Sequence, residues 1–506
     1  MKERNCILTY DIGTTGNKCS VFDITGNMLA STTIHYATEY PFPGWSQQNP
    51  EDYWDSVIKG TKCLFEKAPE IFGRIACISL SGHMNGMLPI DQEGKALFPE
   101  VIHSDNRAEP FCNDIRNKIS DSDFYSICGN RIDVHLSLPK ILWFKSNHPD
   151  LYKKTSYFIQ SKDFIAGNLT GNYGITDFSD ASLTCVLDLT QKAWSKEILE
   201  INSLSIEKFP HLLHSHDQAG TLGKDQAVML HLPRGLPVFM GGGDAASSAR
   251  GAGIDGYKMA QNNIGSSSWI SLLSPAPLMD EKRRIQNFFD LDGVNFNLCG
   301  TVQSAGIAID WLLEEMIQPG NTKVNKYSYC ESLAQTSKAG SNGLFFIPYL
   351  MGERTPHWNS SLKGAFLGLS LNHKKKDICR SVFEGITLAL KDVLDVFNEN
   401  DKEIEKLSLT GGGAISLFWN QIMSDVYQKP VNIPHAPKQA TSLGAAMAAG
   451  VGMNFYKSYS EAVKLVHTER TVNPGVENME IYEERHSMFK RLYASYADLS
   501  ALLSSY

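Results

Sequence analysis

The sequence predicts an α/β protein built of two similar halves, and three observations carry that reading. At 506 residues the chain is long enough for two or more domains with large cores. Short β-rich runs alternate with helical segments at 51–72, 110–119, 138–146, 374–397 and 442–449. A strand, a turn of glycine and hydroxyl residues, and a second strand occur near the start in "DIGTTGNKCSVF" and again past the middle in "NIGSSSWISLL".

The first of these elements is a hairpin. The runs "ILTY" and "CSVF" on either side of "DIGTTGNK" are too brief for helices, and the turn lacks the G-x-x-x-x-G-K-[ST] spacing of a phosphate loop ahead of a helix. A turn at 23–27 and a strand over 28–34 extend it into an antiparallel meander. Glycine can still expose consecutive N–H groups as an anion-binding concavity, to which Thr14 and Thr15 add hydroxyls. Asp11 ends an apolar strand, where an acid needs solvent or a partner; a Mg²⁺ ion accompanying phosphate is one such partner, and service to the turn is the alternative.

Further along, "PVFM" reads as a strand that runs into Gly241-Gly242-Gly243-Asp244 and then an alanine-rich helical start. Asp244 is there either to project into a cleft or to cap the helix. "LSLTGGGA" repeats the pattern of a strand ending in glycines before a helix over 415–427, which suits close approach of a flat ligand or close strand–helix packing. The segment 479–503 has apolar residues near helical period and reads as a docking helix. The domain border is expected at 254–262.

Composition excludes several classes. A net charge of −8 gives no support for nucleic-acid or anionic-membrane binding. Ten scattered cysteines without a C-x-x-C pair indicate neither a disulfide scaffold nor a zinc site. No uninterrupted apolar run is long enough to span a bilayer, so a cytoplasmic location is expected.

Together these residues resemble the FGGY family of carbohydrate kinases, end to end. Its second signature is matched by "GAFLGLSLNHKKKDICRSVFEG" at 364–385, and its first resembles "LSLPKILWFKSNHP" at 136–149, with Ser137, Lys140, Trp143 and Asn147 in expected places. Within the family the chain is most similar to xylulokinases, through "SLSGHMNGMLPID", "PGWSQQNPEDYW" and "FFIPYLMGERTPHWN". The resemblance implies two ribonuclease-H-like domains of the actin-like ATPase type with an interdomain cleft. ATP is then held between the domains and a sugar at the cleft floor; homodimers are frequent among relatives. The expected limits are 1–255 for the sugar and first phosphate domain, 262–450 for the nucleotide domain and 451–506 for a helical extension packed on the latter.

Carried onto this chain, the resemblance makes Asp244 the acceptor of the sugar's proton and Asp11 the residue nearest Mg²⁺. Gly13, Thr14, Thr15 and Lys18 would meet phosphate, with Lys18 equally readable as solvated. Gly265, Ser266 and Ser267 would meet it from the second domain. Gly411, Gly412, Gly413 and Ala414 would line the adenosine pocket, while Ser416 and Asn420 either reach the base or lie exposed on a helix. Met84 and Asn85 match the substrate pair. His83 is either a hydroxyl ligand or a satisfied structural residue, and Asp105 carries the same two readings, with Arg107 as its ion-pair partner. Asn85, Ala245 and His103 depart from the xylulokinase pattern of histidine, asparagine and tryptophan, which leaves other pentuloses, polyols and sugar acids open. A nucleotide-driven switch protein of the actin or Hsp70 type is the reading from another class.

Overall fold

The computed structural model describes residues 4–317 and 325–503, which form two compact units. The first runs through Asp255 and adds Ser274–Asn297 and Gln439–Val466; the second holds Gly256–Leu273, Leu298–Lys438 and the chain from His467 onward.

In the first unit the opening strands form the expected meander. Cys6–Ile12 pairs antiparallel with Gly16–Asp23, and that strand antiparallel with Met28–His35. Cys6–Ile12 also pairs in parallel with Ile75–Gly82, which pairs in parallel with Pro237–Gly243; Gln218–Thr221 adds an antiparallel edge. Alternation along the first strand feeds two cores. Leu8, Tyr10 and Ile12 enter one with Tyr53, Val57 and Phe164, whereas Ile7 packs with Phe22, Leu443 and Met447 in the other. Helices Pro50–Lys67 and Ser161–Thr170 cover the first face and Ala440–Gly452 the second. The helix expected over 51–72 is two, because Pro69 has no N–H to continue it; Pro69–Phe72 follows as a separate turn.

Helix Ala440–Gly452 falls outside the limits read along the chain, which put it with the second domain. Its small residues give the reason. A Cβ on Gly444 would lie 1.8 Å from the Ser247 carbonyl oxygen, and one on Gly251 1.8 Å from that of Ala440, so glycines let it cross helix Asp244–Gly251 backbone to backbone. The extension over 451–506 divides likewise at Val466. Its helix Val476–Leu503 groups with the second unit and buries Tyr482, Phe489 and Tyr496.

The second unit repeats the core of the first. Met259–Ile264 pairs antiparallel with Ser268–Ser274 and in parallel with Lys406–Gly411, which pairs in parallel with Val431–Pro434. Ile264 is opposite Ser268 and Gly411, as Ile12 is opposite Asn17 and Gly82. The echo between the two turn sequences is therefore an echo of strand pairing.

Candidate active site

Three parallel strands of the first unit end side by side. Asp11 and Gly242 are both register partners of Ser81, so Asp11 stands level with the glycine run that leads into Asp244, two strands away. Adjacent strands lie about 4.8 Å apart, a span of roughly 10 Å that facing side chains and a ligand can bridge. The carboxyl ends of parallel strands are where open α/β sheets bind ligands.

Asp244 is the first residue of helix Asp244–Gly251, whose N-cap is Gly243 without a side-chain bond. Its carboxylate is thus not spent as the helix cap, though it takes the Ala245 N–H. Half-buried, it is pushed up to about 7, first by burial and then by the Asp11 charge. Asp11 is buried, and burial raises its carboxyl too, against the Lys18 ammonium 3.8 Å away. Lys18 is therefore half-buried in an ion pair rather than freely solvated. The Asp11 charge raises the proton affinity of Asp244, and the Asp11 carboxylate, a buried hard-oxygen donor at the strand end, fits Mg²⁺.

The hairpin turn beside them is held through its carbonyls. Tyr36 donates to the Gly13 oxygen, Gln48 Nε2 to that of Thr14 at 2.6 Å and a His35 ring nitrogen lies 3.1 Å from that of Thr15. Gly13 and Thr14 are half-buried and Thr15 is exposed.

The loop after Ile75–Gly82 carries the sugar-side residues. Met84 is buried against Gly243, where a Cβ would lie 2.5 Å from its Sδ, so it abuts the residue before Asp244. Asn85 is buried with a backbone φ of 69° and its Oδ1 makes no hydrogen bond. His83 is buried, makes no hydrogen bond through either ring nitrogen, and is held neutral by burial, which pushes it down to about 4. It is not a satisfied structural histidine. His103, half-buried, has its ring 6.1 Å from that of His83. Asp105 differs: fully buried, it lies 2.8 Å from the Arg107 guanidinium and takes the Ser46 N–H, so its oxygens already have protein partners.

Residues to which the motifs gave no role hold this loop. Lys140, fully buried, donates to the Asn85 oxygen at 2.7 Å and the His135 oxygen at 2.9 Å. Ser137 donates to the Gly86 oxygen, and Gln160 accepts the Gly86 N–H. The first family signature is therefore the support of the 83–86 loop, a role hidden in sequence because a helical lysine reads as solvated.

In the second unit Gly265 and Ser266 are exposed and Ser267 half-buried in the turn between strands. The N–H groups of Ala305, Gly306 and Ile307 donate to the oxygens of Ser266 and Gly265 and fix that turn. Gly411 has a φ of +83°, and its missing Cβ would lie 2.4 Å from the Ile264 oxygen; Gly412 is exposed, Gly413 half-buried and Ala414 buried. Ser416 is the N-cap of helix Leu417–Tyr427, accepting the Trp419 N–H. Asn420 is fully buried and donates to the Ala414 oxygen, which corrects its reading as an exposed helix residue.

The N-terminal domain model of the FGGY family of carbohydrate kinases matches residues 6–251, and the C-terminal domain model of that family matches 260–453. The chain belongs to this family and has its two-domain actin-like ATPase fold; it is a sugar kinase, not a nucleotide switch without an acceptor. It is 31% identical over 504 residues to the xylulose kinase of Bacillus subtilis (strain 168), covering 99% of each chain. It is 29% identical over 449 residues to the gluconokinase of the same strain, covering 87% of this chain and 86% of that one. The ligand-bound xylulose kinase structure from Lactobacillus acidophilus superposes with a TM-score of 0.90 at 24% identity, covering 97% of this chain and 98% of that one. Among the described residues no helix is long and apolar enough to cross a membrane.

Proposed function

We propose that the chain phosphorylates D-xylulose with ATP, giving D-xylulose 5-phosphate. The observation that carries the mechanism is Asp244, uncommitted to helix capping, beside Asp11 and pushed up to about 7. A group poised there takes a proton efficiently near neutral pH. As the sugar hydroxyl oxygen bonds to the γ-phosphorus, its proton passes to Asp244 and the bond to the bridging oxygen breaks, ADP leaving with the electron pair. Asp11 would hold Mg²⁺, which supplies positive charge to the polyphosphate. The 13–15 turn, Lys18 and the 265–267 turn are assigned to phosphate, 411–414 to adenosine, and Met84, Asn85 and His83 to the sugar. Neither His83 ring nitrogen makes a hydrogen bond; with Nε2 facing the Glu100 carboxyl at 3.5 Å, Nδ1 is the one that suits a sugar hydroxyl.

A second reading keeps the chemistry and changes the sugar. Asn85 and Ala245 replace two hydrogen-bonding residues of the xylulokinase pattern, and a gluconokinase is among the relatives. The test is coupled ADP release with ketoses, polyols and sugar acids, run beside Asp244→Ala. Turnover with D-xylulose that falls by about 10²- to 10⁴-fold in the variant, and declines in the wild type below about pH 7, is the expected result. Turnover confined to D-gluconate or a polyol would replace the substrate. No response to any sugar would sink the reading.

A further inference from the structure

The stretch "PGWSQQNPEDYW" contributes two residues to a buried chain of hydrogen bonds that no step above uses. Gln48, Tyr53 and Glu100 are each 0% exposed. Gln48 and Glu100 are register partners in the short antiparallel pair Gln47–Gln48 and Glu100–Val101, and Tyr53 stands in the first turns of helix Pro50–Lys67. Gln48 Nε2 donates to the Thr14 oxygen at 2.6 Å and to Thr38 Oγ1 at 2.8 Å. The Tyr53 hydroxyl lies 2.8 Å from Gln48 Oε1 and 2.7 Å from Glu100 Oε2. Glu100 Oε2 is 3.5 Å from His83 Nε2, and its Oε1 occupies the place a Cβ of Gly86 would need, 1.9 Å away. The chain thus begins on a carbonyl of the phosphate turn and ends against both ends of the 83–86 loop.

Three fully buried polar side chains are an expensive way to fill a core, since each must regain in the protein the hydrogen bonds it loses from water. Apolar residues of the same size would pack as well. The tyrosine has one proton for two acceptors, so one contact needs a proton from the other side. Glu100, pushed up to about 8 chiefly by burial, carries that proton at neutral pH and completes the chain without a net charge.

Resting on the kinase reading, we propose that Gln48, Tyr53 and Glu100 are positioning residues that tie the Thr14 turn to the 83–86 loop, so that nucleotide and sugar binding are set together. None of them touches the reacting atoms.

The experiment is steady-state kinetics with both substrates varied, on the full chain, for wild type, Gln48→Met, Tyr53→Phe, Glu100→Leu and Glu100→Gln. A lost hydrogen bond in such a chain is worth about fivefold in binding. Gln48→Met, altered at the nucleotide end, raises KM for the sugar as well as for ATP by about that factor. Glu100→Leu, altered at the sugar end, raises KM for ATP as well as for the sugar, and both move more than kcat. Glu100→Gln, whose amide donates to the same tyrosine oxygen, recovers most of the loss. If Gln48→Met changes only the ATP KM and Glu100→Leu only the sugar KM, or neither changes, the tie is overturned while the kinase reading stands. Where either variant fails to fold, Tyr53→Phe, which keeps the ring and its packing, decides by the same two KM values. A wild type without sugar-dependent ADP release removes the kinase reading and this proposal with it.

Discussion

Asn85 has a left-handed backbone that asparagine adopts more readily than most residues, and its side-chain oxygen is buried without a partner. Ala245 follows Asp244 and offers no side-chain polar atom at all. Where xylulokinases carry histidine and asparagine, this pair offers the sugar one hydrogen-bonding side chain fewer. A buried hydroxyl left unpaired costs about 1–3 kcal/mol, so Asn85→His combined with Ala245→Asn is expected to raise kcat/KM for D-xylulose over a competing polyol by about fivefold to a hundredfold. Competition kinetics with both sugars measure it, and an unchanged ratio would mean that specificity lies elsewhere in the pocket. At this scale Asp11 and Asp244 stood out in the sequence as acids beside apolar strands and glycine turns, whereas Asn85 was reached only through the family resemblance. Glu100 did not stand out, since only its burial distinguishes it from a surface residue, and Lys140, though part of the first signature, had no role legible in the sequence.

The two hairpins are the elements that repeat, and glycine decides how closely each can be approached. Gly411 ends Lys406–Gly411 at a φ of +83° and lies against the Ile264 oxygen at the end of the paired strand. An added methyl would sit 2.4 Å from that oxygen and strain the backbone, while Gly412 beside it has open space. Gly411→Ala is therefore expected to weaken nucleotide binding by about tenfold or more, with Gly412→Ala much milder, because displacing the strand end moves the turn at 265–267 that pairs beside it. Titration with a non-hydrolysable ATP analogue reads both variants, and equal effects would remove the geometric explanation. The strand–turn–strand units were legible from local alternation, which is a property of neighbouring residues. "GERTPHWN" was not: Glu353 accepts the N–H groups of Gln303 and Arg354, and the Thr355 N–H donates to the Thr301 oxygen, so the loop pins a strand end fifty residues away in sequence.

Across the whole molecule, the unit that holds helix Ala440–Gly452 could not be read from chain order, because the contacts that place it, through Gly251, Gly444 and Ser247, join residues nearly two hundred positions apart. The same distant helix packs the sheet whose strand ends present Asp11 and Asp244, so the site's electrostatics bear on the stability of that entire unit. Asp244 is raised from the ordinary carboxylate range to about 7, meaning that its ionisation is harder in the folded chain than in the unfolded one. A carboxyl raised on folding contributes stability below its unfolded value and loses it progressively as pH rises through the folded value. Above about pH 7 the folded chain therefore carries an unfavourable charge that Asp244→Asn removes. The variant is expected to melt at the same temperature as wild type, or slightly below it, at pH 4, and a few degrees above it at pH 8, while remaining inactive at both. Thermal unfolding across that range, followed by a probe of the first unit such as hydrogen exchange in Ile75–Gly82, makes the comparison. A stability difference that does not change with pH would show that Asp244 ionises freely in the folded state and that another group sets the acidic limb of the reaction.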